Sequence, residues 1–207
     1  MSNFWKQQRQ LHEQLSSKKE EYPATSLFTY KSLAEQAYKK SPLQTLDRDW
    51  HLVLKTNNNK VYQNRRTGET VNSISGSKSL KDFTNDGLQY LGFLNNPLQR
   101  QRVSETSNLI DRLNAIDKKR KITTVSHSLG SNVANRLVAE KKIDKAINFN
   151  AFIPDKSINV DDSRVVNIRN ENDFASKLTK DNVNTVNLQN NSNPIKSHFM
   201  SEIKLNY

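Results

Sequence analysis

Cysteine is absent from this chain, and its absence excludes disulfide bonds, thiolate metal sites and a cysteine nucleophile. Long apolar runs are also lacking: the mean hydropathy is −0.84, and no stretch reaches the roughly 18 apolar residues of a membrane span. The N-terminal stretch has neither the apolar core nor the cleavage site of a signal peptide. The lack of a signal peptide and of a membrane span favours a cytoplasmic or particle-associated protein over one exported by the Sec route, whereas the lack of cysteine leaves the compartment undecided.

Negative charge is scarce relative to positive charge. The 32 Lys and Arg residues outnumber the 21 Asp and Glu residues, so the formal net charge is +11. Such a charge suits an anionic partner, either nucleic acid or an acidic lipid surface. However, the basic residues are spread along the chain, and the sequence contains no zinc-finger spacing, RNP-type strand or basic heptads. The pattern therefore favours solvated faces over a nucleic-acid groove.

The length of 207 residues, 34% of them hydrophobic, predicts one compact domain with a modest core. Helical spacing at 3–21 and 27–40 predicts two N-terminal helices with a proline between them. We expect residues 1–45 to pack on a body formed by residues 46–207. That body begins with three short strand candidates joined by turns, followed by a helix over 104–119.

A strand, a helix and two further strands complete the predicted body. The strands are expected at 121–128, 145–152 and 163–170, and the helix at 131–142. Helical crossovers of this length predict an α/β fold with a parallel or mixed sheet flanked by helices. Ligands bind such sheets at the carboxyl ends of the strands, which draws attention to the sequences SHSLG, GSK, NAF and NENDF. The Asn-rich stretch 187–194 is predicted to be a loop.

The predicted strand before Ser128 and the helix after it are separated by a very short turn flanked by small residues. A serine activated for acyl transfer needs this arrangement, because its oxygen must project from the sheet in front of a helix N-terminus. The segment alone fits equally well a βα loop in which Ser or Asn caps the helix.

Residues further along the chain favour the nucleophile interpretation. A serine nucleophile requires a base, usually histidine, that is oriented by a carboxylate. Of the four histidines, only His198 follows Ser128 at a distance in sequence. Asp173 comes directly after a strand candidate, and Glu171 is the second choice for the acid.

The order of the motifs resembles that of a known family. SISGSKSLKDFTNDG, VSHSLGSNVA, NFNAF, NENDFAS and SHF, taken together over residues 47–203, resemble the signatures of the class 3 lipases. The resemblance implies an α/β-hydrolase-like fold with a mixed, mostly parallel sheet. It also implies Ser128, Asp173 and His198 as nucleophile, orienting acid and base.

The resemblance assigns further positions around the nucleophile. It implies that the backbone N–H groups of Ser77 and Leu129 form the oxyanion hole. Family positions that hold the oxyanion loop in place are matched by Asp82, Phe83 and Asp86. The apolar segment 84–97, with its two glycines, is typical of a lid and equally of an ordinary buried helix.

Three serines depart from the family pattern. Ser75 stands where the family has Arg, which we expect to affect the rigidity of the oxyanion loop. Ser126 and Ser131 replace glycines beside the nucleophile, and we expect a slightly wider strand–helix crossing to accommodate them. His127, beside the nucleophile, is interpreted as a packed side chain at the end of a strand.

The resemblance implies a serine lipase or esterase that hydrolyses acylglycerols or phospholipids at a membrane or droplet surface without a metal or cofactor. The positive charge predicts attraction to anionic phospholipid. Two alternatives stay open. One is a catalytically inactive hydrolase-fold scaffold that binds nucleic acid or another partner through its basic surface, and the other is a soluble esterase or thioesterase without interfacial preference.

Overall fold

The structure is a computed structural model, and it describes residues 25–76, 97–117, 120–153, 158, 162–179, 184–189 and 192–205. The predicted helix over 3–21 lies outside the described residues, as do Ser77 and all but the last residue of the lid candidate 84–97. The aligned positions Asp82, Phe83 and Asp86 lie outside them as well.

The described strands form one mixed sheet in which spatial order follows chain order. They are β1 (Thr45–Leu46), β2 (Trp50–Lys55), β3 (Asn59–Asn64), β4 (Thr70–Ile74), β5 (Ile122–His127), β6 (Lys145–Phe149), β7 (Val165–Asn170) and β8 (Thr185–Leu188). Strands β1 to β4 pair antiparallel, and β4 to β8 pair parallel. The predicted fold class, α/β with a mixed and mostly parallel sheet, is confirmed.

The described helices are α1 (Leu27–Gln36), α2 (Pro97–Ile116) and α3 (Gly130–Ala139), with single 3₁₀ turns η1 (Ser176–Leu178), η2 (Lys196–His198) and η3 (Met200–Glu202). Helix α1 begins after Ser26, whose hydroxyl accepts the Thr29 N–H at 3.1 Å. Helix α2 begins before the predicted 104–119 because Pro97 is well suited to the first helical position, where its missing N–H has no partner to lose.

Helices cover both faces of the sheet. On one face, α1 and the C-terminal residues pack on the strands through Leu33, Val71, Val125, Ile147 and Ile203, among others. On the other face, α2 and α3 pack through Ile74, Ile110, Ile122, Val133 and Leu137, among others. Neighbouring side chains of a strand point to opposite faces, so each central strand contributes to both cores. Within the described part of the chain, no helix is long and apolar enough to cross a membrane.

The prediction of a loop over 187–194 is wrong at its start. Asn187 and Leu188 belong to β8, whose alternating pattern buries Val186 and Leu188. Four residues with only two apolar side chains carry too weak a period-2 signal to separate a strand from a polar loop. Pairing with β7 supplies the stability that the local sequence lacks.

Candidate active site

Ser128 lies at the carboxyl end of β5, in the turn before α3, with a φ of +54°. Residues other than glycine rarely adopt this left-handed conformation, and surrounding contacts must hold them there. The Ser128 N–H donates to the Phe149 carbonyl at 3.2 Å, and the Ser128 carbonyl accepts the N–H groups of Ser131 at 3.0 Å and Phe152 at 3.1 Å. These bonds fix the turn that presents the Ser128 hydroxyl.

Gly130 lets the helix approach the neighbouring strand closely. A Cβ atom at this position would lie 2.8 Å from the Ile74 carbonyl oxygen and 3.0 Å from that of Ser75. Because both obstacles are backbone atoms, any side chain at residue 130 would push α3 away from β4.

Ser126 and Ser131, which stand in place of family glycines, are both fully buried and lie opposite each other. The Ser126 hydroxyl donates to Oδ1 of Asn148 at 2.6 Å, and the two serine hydroxyl oxygens are 3.0 Å apart. Since the Ser126 proton is used on Asn148, Ser131 donates to Ser126. The two hydroxyl groups therefore satisfy each other inside the crossing of β5 and α3.

Ser126→Ala is expected to destabilise the fold by about 2 kcal/mol, because it leaves the Ser131 hydroxyl and Oδ1 of Asn148 buried without their partner. Ser131→Ala removes only the hydrogen bond that the Ser126 oxygen accepts, and it should destabilise the fold by about 1 kcal/mol. The double variant should cost less than the sum, since it removes the orphaned Ser131 hydroxyl. Denaturant unfolding of the four proteins measures this coupling, and strictly additive losses would contradict the pairing.

Ser128, His198 and Asp173 form one hydrogen-bonded series. The distance from Ser128 Oγ to His198 Nε2 is 2.8 Å, and that from His198 Nδ1 to Asp173 Oδ1 is also 2.8 Å. Ser128 is 2% exposed, His198 4% and Asp173 0%. A carboxylate only accepts, so Nδ1 carries the proton and Nε2 is left to accept from the serine hydroxyl. Glu171, the second choice for the acid, is exposed to solvent.

Local donors hold the Asp173 carboxylate in place after β7. Its Oδ1 accepts the Ala175 N–H at 3.1 Å, and its Oδ2 accepts the Ser176 N–H at 3.1 Å and the Ser176 hydroxyl. Together with His198, these donors occupy both oxygens. The buried charge is thus compensated by hydrogen bonds, and the carboxylate is fixed toward the imidazole.

Two asparagines at the carboxyl ends of β6 and β7 clamp the backbone that carries His198. Nδ2 of Asn150 donates to the carbonyls of Ser197 at 2.8 Å and His198 at 3.0 Å, and Nδ2 of Asn170 donates to Ser197 at 2.6 Å. Asn150 has a φ of +44°, a conformation that asparagine tolerates better than most residues. Both residues lie in the stretches NAF and NENDF, at the expected carboxyl ends of strands, but no role was predicted for either of them.

His127 is buried, as predicted, and it makes two hydrogen bonds. Its Nε2 lies 2.6 Å from the His198 carbonyl oxygen, and its Nδ1 lies 2.5 Å from the Tyr38 hydroxyl, which in turn accepts the Gly76 N–H at 2.8 Å. Burial, with a smaller effect from His198, lowers the pKa of His127 from 6.5 to about 3. His127 is therefore neutral, with its proton on Nε2. Burial also raises the pKa of Tyr38 well above its usual value, which keeps its hydroxyl protonated.

The residues after β4 lie against the Ser128 turn. A Cβ on Gly76 would lie 2.7 Å from the His127 carbonyl oxygen and 2.8 Å from Cβ of Ser128, so glycine alone fits there. The Arg102 guanidinium, from α2, donates to the Ser75 carbonyl. This contact places a cation beside residue 75, where the resemblance expects an Arg at the start of the oxyanion loop.

The oxyanion hole expected from the resemblance has one donor inside the described residues. The Leu129 N–H, at the first turn of α3, has no acceptor within the part of the chain that the structure describes. An unpaired N–H at a helix N-terminus suits a developing negative charge. Ser77, the other expected donor, lies outside the described residues. The described residues also contain no group of three or more His, Asp or Glu side chains that could hold a metal ion.

Solved structures with a similar fold are fungal lipases. The Lip2 lipase from Yarrowia lipolytica aligns with a TM-score of 0.53 and 14% identity over 73% of this chain and 74% of that protein. The lipase from Rhizopus microsporus var. chinensis aligns with a TM-score of 0.53 and 12% identity over 83% of this chain and 70% of that protein. The sequence itself matches no family model and no curated protein. The similarity to these two lipase structures confirms the fold that the motifs predicted.

Proposed function

We propose that this protein is a serine hydrolase that cleaves carboxylic esters of lipids. Ser128 is the nucleophile, His198 the general base and Asp173 the acid that orients the base. The observation that carries the proposal is the hydrogen-bonded series of these three buried side chains, with both distances at 2.8 Å, beside a serine held at positive φ. The similarity in fold to lipases supports the same assignment.

In the first half of the reaction, His198 Nε2 takes the Ser128 proton while Oγ forms a bond to the ester carbonyl carbon. The negative charge moves to the carbonyl oxygen, where the Leu129 N–H donates to it. By the resemblance, the Ser77 N–H is the second donor. Collapse of this intermediate breaks the bond to the alcohol, which leaves with the proton held on His198, and an acyl group stays on Ser128.

Water completes the reaction by the same steps. His198 accepts a proton from water as the hydroxide oxygen attacks the acyl carbon, and it then returns a proton to Ser128 Oγ as the acid leaves. His198 is positively charged in each transition state, so the Asp173 carboxylate at 2.8 Å stabilises both steps. All groups required are side chains and backbone of this chain.

Exposed apolar side chains near the site support a lipid ester as substrate. Leu178, Ile195 and Phe199 are 55%, 44% and 37% exposed. Leu178 ends the turn η1, which follows Asp173, and Ile195 and Phe199 flank the turn η2, which contains His198. Lys177 and Lys196, also exposed, are next to two of them. Apolar side chains flanked by lysines are typical of surfaces that contact anionic lipid.

Labelling with a fluorophosphonate tests the nucleophile. Wild type should be labelled on Ser128 and should hydrolyse p-nitrophenyl butyrate, whereas Ser128→Ala should do neither. Ser107→Ala, on α2, is the matched control and should behave as wild type. If folded wild-type protein resists the label and hydrolyses neither this ester nor phospholipid vesicles, the enzyme proposal is wrong and the basic scaffold takes its place.

The kind of substrate is tested separately with the active enzyme. Raising the concentration of a short-chain ester past its solubility limit should increase the rate if the protein acts at interfaces. Vesicles that contain phosphatidylglycerol should be hydrolysed faster than vesicles of phosphatidylcholine alone, because the net charge is +11. A rate that levels off at the solubility limit would instead identify a soluble esterase.

A further inference from the structure

A continuous series of hydrogen bonds joins the end of β4 to the backbone of η2. Its members are the Gly76 N–H, the Tyr38 hydroxyl, the His127 imidazole and the His198 carbonyl, with successive distances of 2.8, 2.5 and 2.6 Å. The rings of Tyr38 and His127 also meet in a T-shaped arrangement, with their centroids 5.6 Å apart. We call Tyr38 and His127, with these contacts, the Tyr38–His127 bridge.

The direction of each hydrogen bond in the bridge is fixed. The His198 carbonyl only accepts, so His127 Nε2 must donate and Nδ1 must accept from the Tyr38 hydroxyl. The Tyr38 oxygen is then free to accept the Gly76 N–H. These requirements are met when His127 is neutral with its proton on Nε2 and Tyr38 is protonated. Each group in the series then has a defined partner.

Both ends of the bridge are attached to parts of the proposed reaction. Gly76 directly precedes Ser77, the position that the resemblance assigns to the oxyanion hole, and His198 is the proposed base. We propose that Tyr38 and His127 are positioning residues that hold the start of the oxyanion loop and the base at a fixed separation. This inference rests on the proposed function, because it concerns the rate of the same reaction.

Because of the bridge, the N-terminal part of the chain contributes a residue to the site. Tyr38 follows α1 and precedes residues 47–203, the segment that carries the family resemblance. Helix α1 packs on the sheet through Leu27, Tyr30 and Leu33, and this packing places Tyr38 beside the site. The N-terminal part of the chain would thus set the reaction rate as well as the stability of the core.

Removing the Tyr38 hydroxyl tests the bridge with the smallest change. Tyr38→Phe should lower kcat for p-nitrophenyl butyrate roughly 10- to 100-fold, because misplaced oxyanion donors and base stabilise the transition state less. KM should stay within about twofold, since ground-state binding does not use the bridge. Tyr30→Phe, on α1, is the matched control: it removes a tyrosine hydroxyl that donates to Glu69 at 2.8 Å, and it should keep the wild-type kcat.

Changes at His127 provide the rescue. His127→Gln offers an amide oxygen to Tyr38 and an amide N–H to His198, so kcat should stay within several-fold of wild type, whereas His127→Leu should lose as much as Tyr38→Phe. Since the two residues act as one unit, Tyr38→Phe combined with His127→Leu should lose no more than the larger single loss.

The results separate this inference from the proposed function. If wild type hydrolyses no ester, the proposed function fails before the bridge is tested. If wild type is active and folded Tyr38→Phe has the wild-type kcat, the bridge has no positioning role. Equal losses in His127→Gln and His127→Leu would also overturn it, because only packing would then matter. Circular dichroism and denaturant unfolding establish the folded fraction for each variant.

Discussion

Asp173→Asn is expected to lower kcat for ester hydrolysis by about four orders of magnitude in a protein that still folds. An amide nitrogen facing His198 would donate where the carboxylate accepts, and it would force the imidazole proton onto Nε2. His198 could then no longer accept the Ser128 proton. An amide nitrogen facing Ser176 would avoid this, but it would meet the N–H that now donates to Oδ2 at 3.1 Å. In either orientation, the imidazolium of the transition state loses its negative partner.

Glu171→Gln is the matched control for this substitution, because Glu171 is the other acid near the end of β7 and is exposed. It should keep the wild-type kcat. The measurement is kcat with p-nitrophenyl butyrate, accompanied by circular dichroism. An inactive Glu171→Gln beside an active Asp173→Asn would reverse the assignment of the acid, whereas full activity in both would remove the acid from the mechanism.

The sheet could be predicted where its strands carry strong local patterns. Short runs that contain β-branched or aromatic residues, separated by turn residues, mark β2 to β4, and runs of β-branched and apolar residues mark β5 to β7. Strand β8 was missed because it is short and half polar, and it is stabilised by pairing at the sheet edge. The beginning of α2 was missed because residues 97–103 carry few apolar side chains at helical spacing.

The order of residues along the chain, with the resemblance, predicted Ser128, Asp173 and His198 as a set, and the structure places these side chains within hydrogen-bonding distance of one another. Parallel strands end at one edge of a sheet, so residues that follow successive strands come together there. The contacts of Tyr38 and Arg102 follow no such rule. Tyr38, which follows α1, meets His127 across 89 positions of sequence, and Arg102, on α2, meets Ser75 across 27. Both contacts depend on how the helices pack on the sheet. No sequence motif predicts such contacts.

The low pKa of His127 predicts how acid affects the fold. His127 stays neutral in the folded protein down to a pH of about 3, and it takes up a proton near its ordinary pKa of 6.5 once the chain unfolds. Below that pH the unfolded state binds more protons, so the free energy of unfolding falls as the pH falls. The contribution of His127 is complete above pH 6.5 and is lost progressively toward pH 3. The loss should be about 1.4 kcal/mol per pH unit within this window.

His127→Gln isolates this contribution because glutamine does not titrate and keeps the bridge. Between about pH 7.5 and about pH 4.5, wild type should lose roughly 2–3 kcal/mol more unfolding free energy than the variant. Denaturant unfolding at both pH values gives the difference, and His51→Gln, on β2, controls for removal of a histidine. His198 and Asp173, the titrating groups that act on His127, are unchanged in all three proteins. Equal slopes in wild type and His127→Gln would mean that folded His127 takes up its proton as readily as the unfolded chain, and an imidazolium there could not accept from Tyr38.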